Sequence, residues 1–183
     1  MKLMTIARLA LAGLMFVLLA AGVAQAAQEF YVSINGAKQG PFKGEVTKKG
    51  FEGKIAGLNF DYAVVSPRDP ASGQAIGKRV HKPIKITKTW GASSTQLFTA
   101  LIMNEVLTAV VIDFFSTNPS GIVVLDHTVK LTNALVTSIA YNADALGAQA
   151  NVPPTETVEF VFQQIELINH ITKTGAMDSM SAP

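Results

Sequence analysis

The 183-residue chain is 49% hydrophobic, 15% charged and free of cysteine, which excludes a disulfide framework and thiol chemistry. Its formal net charge is +2, and the two bases that make up the excess lie in an N-terminal segment that reads as a removable leader. The remaining chain is neutral and offers a polyanion no footprint, so nucleic acid is not an expected partner.

Lys2 and Arg8 precede an uncharged apolar run, Leu9 to Ala21, closed by Gly22, Val23, Ala24, Gln25 and Ala26. The run is shorter than the roughly 20 residues of a comfortable membrane span. With Ala24 and Ala26 at −3 and −1, this is the layout of a secretory signal peptide, residues 1–26, cleaved after Ala26. A retained N-terminal anchor helix is the alternative. The expected localisation is secreted, extracellular or periplasmic, with no stable membrane span after cleavage. The 157 residues that follow suit one domain, expected over 27–172, with the small polar stretch 173–183 as a flexible C-terminal tail.

Phe30, Val32 and Ile34 alternate with Tyr31 and Ser33 before Asn35-Gly36, a strand running into a turn. Between Lys54 and Val65, Leu58, Phe60, Tyr62 and Val64 hold period two, which predicts a half-buried strand. Two prolines and a glycine mark Ser66 to Gly73 as a surface loop. The next strand runs from about Lys82 to Thr89, with Pro83 at its entry. Ser93-Ser94 offers N-cap hydroxyls to a helix of about three turns, over Ser94 to Asn104, whose stripe is Leu97, Phe98, Leu101 and Ile102. Val106 to Phe115 is apolar and β-branched, as in a strand buried on both faces. Ile122 to Tyr141 predicts one or two strands. The closing strand places Val158, Phe160 and Phe162 on one face, with out-of-phase Gln164 as a bulge. Many short strands and one helix give a mainly β fold: an antiparallel β-barrel of two packed sheets with one flanking α-helix.

Charge is unevenly distributed. Residues 27–100 hold 11 Lys or Arg against 5 acids, and residues 101–183 hold 2 against 8. Two arrangements are open: opposed faces that steer copies head to tail, or interleaved halves whose charges cancel locally.

Nothing in the pattern assembles a catalyst. His81, His127 and His170 share no spacing that puts two ligands on one element. No nucleophile-elbow motif surrounds a serine, and neither glycine-rich phosphate motif occurs. No catalytic, cofactor-binding or metal residue is therefore assigned, and no cofactor is expected. The strongest charge feature is Lys78, Arg79, His81, Lys82, Lys85 and Lys88, read as a solvated or subunit-facing patch.

His81-Lys82-Pro83-Ile84-Lys85-Ile86-Thr87-Lys88, followed by Ser94, Leu97 and Ala100, resembles the signature of the Hcp (hemolysin-coregulated protein) family of type VI secretion. The likeness extends over most of residues 29 to 168, including Ile34-Asn35-Gly36, Gly44-Glu45 and the strand Glu156 to Ile165. It departs at Gly91, where Asp is common, and at Thr95, where Pro often follows the capping serine. The leader departs too, since familiar tube proteins have no cleaved signal. The resemblance implies a β-barrel with one flanking helix, six copies closing into a ring, and rings stacking into a tube that delivers effectors. It brings no catalytic residues. The expected function is thus a structural ring-forming tube subunit, not an enzyme. Its partners are itself, effector proteins in its lumen and other parts of the secretion apparatus. The alternative is a secreted or periplasmic binding module that keeps the fold without forming the tube and uses the Ser66 to Lys78 loop.

Overall fold

A computed structural model describes residues 28–143 and 153–180, so the expected leader, its cleavage site and the last three residues lie outside the described residues. In chain order the elements are β1 (Glu29–Gly36), β2 (Gly40–Pro41), β3 (Ile55–Gly57), β4 (Asn59–Asp61), β5 (Val64–Val65), β6 (Val80–His81), β7 (Ile84–Thr89), α1 (Ser94–Ile102), β8 (Leu107–Thr117), β9 (Val123–Asn142), β10 (Thr155–Val161), β11 (Gln164–Asn169) and β12 (Thr174–Ser179). The mainly β architecture with two packed sheets and a flanking helix is the one expected.

One sheet runs β2/β3, β1, β8, β9, β11, β12, and the other β9, β10, β7, β4; every pairing is antiparallel. The 20-residue β9 belongs to both. It pairs with β8 and β11 through its first half and with β10 through its second. The bend lies at Asn133, whose φ of 50° resets the alternation. Val129 and Leu131 before it, and Ala134 and Val136 after it, all face the core. The pairing path returns to β1 through residues 55–61, where β3 pairs with β1, β4 with β7, and the Leu58 amide between them donates to Thr87 O.

That crossing explains a difference from the expected strand over 54–65. The segment turns a corner at exposed Leu58 and breaks into β3 and β4, while Val64 belongs to a separate small hairpin, β5–β6. The closing strand likewise divides. Gln164 marks the point where the chain leaves the β7–β10 sheet and joins the other as β11, rather than a bulge. Residues 174–179, expected as tail, form β12 against β11.

The core fills the space between the sheets with Val32, Ile34, Ile55, Ile84, Ile86, Leu107, Val110, Ile112, Leu131, Val158 and Phe160, closed at one end by Leu97 and Ala100 of α1. Only that side of the helix is inward. Phe98 and Ile102, expected in the same stripe, face solvent.

Candidate assembly surfaces

Four of the eleven bases in residues 27–100 pair with acids of residues 101–183. Lys54 of the basic half meets Asp113 at 2.9 Å, Lys85 meets Glu159 at 2.8 Å, Lys88 meets Glu156 at 2.9 Å, and Arg79 grips Asp178. Two of these pairs are direct cross-strand partners on β7 and β10. The halves interleave, and the basic patch expected on residues 78–88 disperses into ion pairs. Of its members, Lys78 and Lys82 alone lack an acidic partner among the described residues.

Lys88 is not on a patch at all. It is buried in line with Ile84 and Ile86, and its ammonium donates to Glu156 and to Thr89 O at 2.7 Å. Ser94 joins this pair instead of capping its helix: its hydroxyl accepts from the Gly91 amide and donates to Glu156 Oε1 at 2.8 Å. Ser93 occupies the N-cap position but its side chain caps nothing. At Gly91 a Cβ would lie 2.4 Å from Glu45 Oε2, so Glu45 takes the space in which the family's common Asp side chain would start.

A second buried carboxylate fixes the other side of α1. Glu105 accepts from the amides of Lys38 and Gln39 at 2.7 and 2.8 Å and from the Gln39 side chain at 2.7 Å. Burial pushes its carboxyl upward, but these donors outweigh it and the net shift is down. The turn after β1 must carry Gly36, because a Cβ there would lie 2.5 Å from Glu105 Oε1.

His127 and His170 lie on adjacent rungs where β9 meets the end of β11, and the described residues contain no cluster of three or more His, Cys, Asp or Glu that suits a metal. His127 contacts Asp126 and Asn169; His170 meets the Thr128 hydroxyl, which also donates to Asp113. His81 is the most enclosed. Its Nδ1 is 2.6 Å from Tyr62 Oη and its Nε2 2.9 Å from Asp178, which the Arg79 guanidinium also holds. This clasp ties β12 to β6. The Arg79 hydrogen bond is the main reason the Asp178 carboxyl drops from 3.8 to about 2, with His81 adding to it against desolvation. A carboxyl depressed in the fold stabilises above its unfolded pKa and loses that contribution as pH falls through the folded one. The stability gap between the parent and Asp178→Asn should therefore hold from neutral pH to about 4 and close between about 4 and 2. Urea midpoints across that range measure it; a gap that persists at pH 2 contradicts the clasp.

Two apolar grooves are prominent on the exposed surface of the described residues. Around α1, Trp90, Phe98 and Tyr141 wall a groove of about 360 Å³ with Ser94, Thr95 and Thr99, and Ile102 and Met103 at the end of the helix are also exposed. Across β9, β11 and β12, a groove of about 420 Å³ is lined by Val129, Leu167, Ala176 and neighbours. Neither groove gathers nucleophile, base and oxyanion donors, and both offer apolar walls to another molecule.

Comparison with known proteins is decisive at this point. Residues 31–168 match the family model described as "Type VI secretion system effector, Hcp". The chain belongs to the Hcp family. It is 32% identical over 165 residues to the "Major exported protein" of Pseudomonas aeruginosa, covering 84% of this chain and 95% of that one. Among solved structures it is similar to an Hcp protein at 27% identity and a TM-score of 0.79, covering 86% of this chain and all of the other. It is also similar to the secreted protein Hcp3 of Pseudomonas aeruginosa, at 25% identity and a TM-score of 0.71, covering 85% of this chain and all of that one. The helix and the β7 signature stand where the sequence resemblance placed them. Two of these three names speak of export or secretion, and no helix among the described residues is long and apolar enough to cross a membrane.

Proposed function

We propose that this chain is a structural tube subunit: six copies close into a ring, rings stack, and the lumen holds small effector proteins for delivery. The observation that carries it is an Hcp fold with two apolar grooves on its surface. In a monomer these grooves would stay wet; subunit contacts cover them. The hold of Glu105 on the turn amides and of Glu156 on Lys88 and Ser94 favours a scaffold over an enzyme. The leader-like N-terminus favours export through a general pathway, with the ring assembling outside the cytoplasm.

The test is the mass in solution, by light scattering on a size-exclusion column, of the protein in the form its cells export. A mass near six subunits at both low and high salt is expected, because the contacts proposed to close the ring are the apolar grooves, which salt does not screen. A monomer at every concentration would sink the ring and favour the binding-module alternative.

A further inference from the structure

We propose that the outer face of the β5–β6 hairpin is a docking surface for a bilayer that carries anionic phospholipid. The inference goes beyond the tube reading and holds for one subunit or for six. Among the described residues β5 and β6 form a two-stranded sheet of their own, with Val64 opposite His81 and Val65 opposite Val80. Arg79 and His81 both reach Asp178 on β12, so one side of the hairpin is occupied by the clasp. Val80, between these two residues, faces the other way beside its cross-strand partner Val65. The two valines are 47% and 48% exposed, and Ile76, whose amide donates to Pro67 O, is 64% exposed.

Charge decides what fits this face. Residues 64–82 hold four bases and one acid. Arg79 is held by Asp178, whereas Arg68, Lys78 and Lys82 have no acidic partner among the described residues. The acid, Asp69, turns back on its own loop, where it accepts from the Ala71 and Ser72 amides and the Ser72 hydroxyl. The loop is already shaped: Arg68 bridges to Ala75, and its guanidinium donates to Gly73 O at 3.1 Å. Docking therefore costs little ordering of the chain.

Protein partners are gripped chiefly by aromatic and arginine anchors seated in pockets, and residues 64–82 contain no Phe, Tyr or Trp. Exposed aliphatic side chains among free lysines suit a lipid surface instead. Val65, Ile76 and Val80 enter the acyl boundary, while the Lys78 and Lys82 stems follow them and leave their ammonium groups among anionic headgroups. Strands this short cannot span the hydrocarbon core, so the contact is peripheral.

Cosedimentation of the protein, in the form its cells export, with phosphatidylcholine vesicles that contain or lack phosphatidylserine tests this. Binding to the phosphatidylserine vesicles alone is expected, and it should fall as salt rises. Lys78→Gln combined with Lys82→Gln should weaken it by at least about 30-fold, since each lysine near such a surface contributes roughly fivefold. Val80→Asn should weaken it on its own. Neither change should alter the circular dichroism spectrum, because these three side chains take no part in the clasp. Binding to neither vesicle, or equally to both, overturns the proposal, as does a double lysine variant that binds like the parent. A monomeric parent that still binds the anionic vesicles supports the docking surface and overturns only the ring.

Discussion

Replacing Lys88 with methionine is expected to destabilise the protein by about 3–5 kcal/mol, the usual cost of leaving one member of a buried ion pair alone. Lys88 is 2% exposed and Glu156 0%, so without the ammonium the carboxylate keeps only the Ser94 hydroxyl as donor. Methionine matches the aliphatic stem, which isolates loss of charge from loss of packing. The double variant Lys88→Met with Glu156→Leu removes both charges and should recover most of the loss, since an apolar replacement of a buried pair is often neutral or better. Urea midpoints of the four members of this cycle measure the coupling. A single variant costing under about 1 kcal/mol would mean that water reaches Glu156.

This pair also shows where the sequence was legible and where it was not. The core faces of β1, β7 and β10 can be read directly, because period-two alternation is local and each of these strands keeps one face on the core, whereas β8, expected to be buried on both faces, buries only Leu107, Val110 and Ile112. The buried pair was legible in the same pattern. Lys88 falls in phase with Ile84 and Ile86, and Glu156 in phase with Val158 and Phe160, so each charge stands at a core position. Read separately they look like a basic patch and a strand terminus. Only the register that sets Glu156 opposite Lys88 makes them one feature, and register across 68 residues is a tertiary property. Asn133 and Leu58 were illegible for a related reason: both mark places where a strand passes from one sheet to the other, and that choice is set by the partner strands. β12 was misread because its small polar residues carry no alternation. Its order comes from β11 and from the Asp178 clasp, which joins residues 79 and 178.

Two phenylalanines provide the second large effect, and their contrast carries the argument. Phe160 and Phe98 both sit in apolar stripes of the sequence, yet Phe160 is 1% exposed and Phe98 47%. Phe160 lies on β10 between Ile84 of β7 and Val136 of β9, in the centre of a core that packs like a solid and closes only partly around a deletion. Phe160→Ala should therefore cost about 3–5 kcal/mol, seen as a fall in melting temperature on the order of 10 °C for a domain of this size. Phe98→Ala deletes the same ring from the solvent side of α1 and should leave the dissociated subunit within about 0.5 kcal/mol of the parent, the assembled protein alone being weakened. Both are measured at one protein concentration, because assembly adds a mass-action term to apparent stability. If Phe98→Ala lowers the melting temperature of the assembled protein but leaves the dissociated subunit unchanged, the α1 groove is a subunit contact. If it is silent in both states, that groove faces the lumen or the outside of the ring, and the contacts that close the ring lie elsewhere.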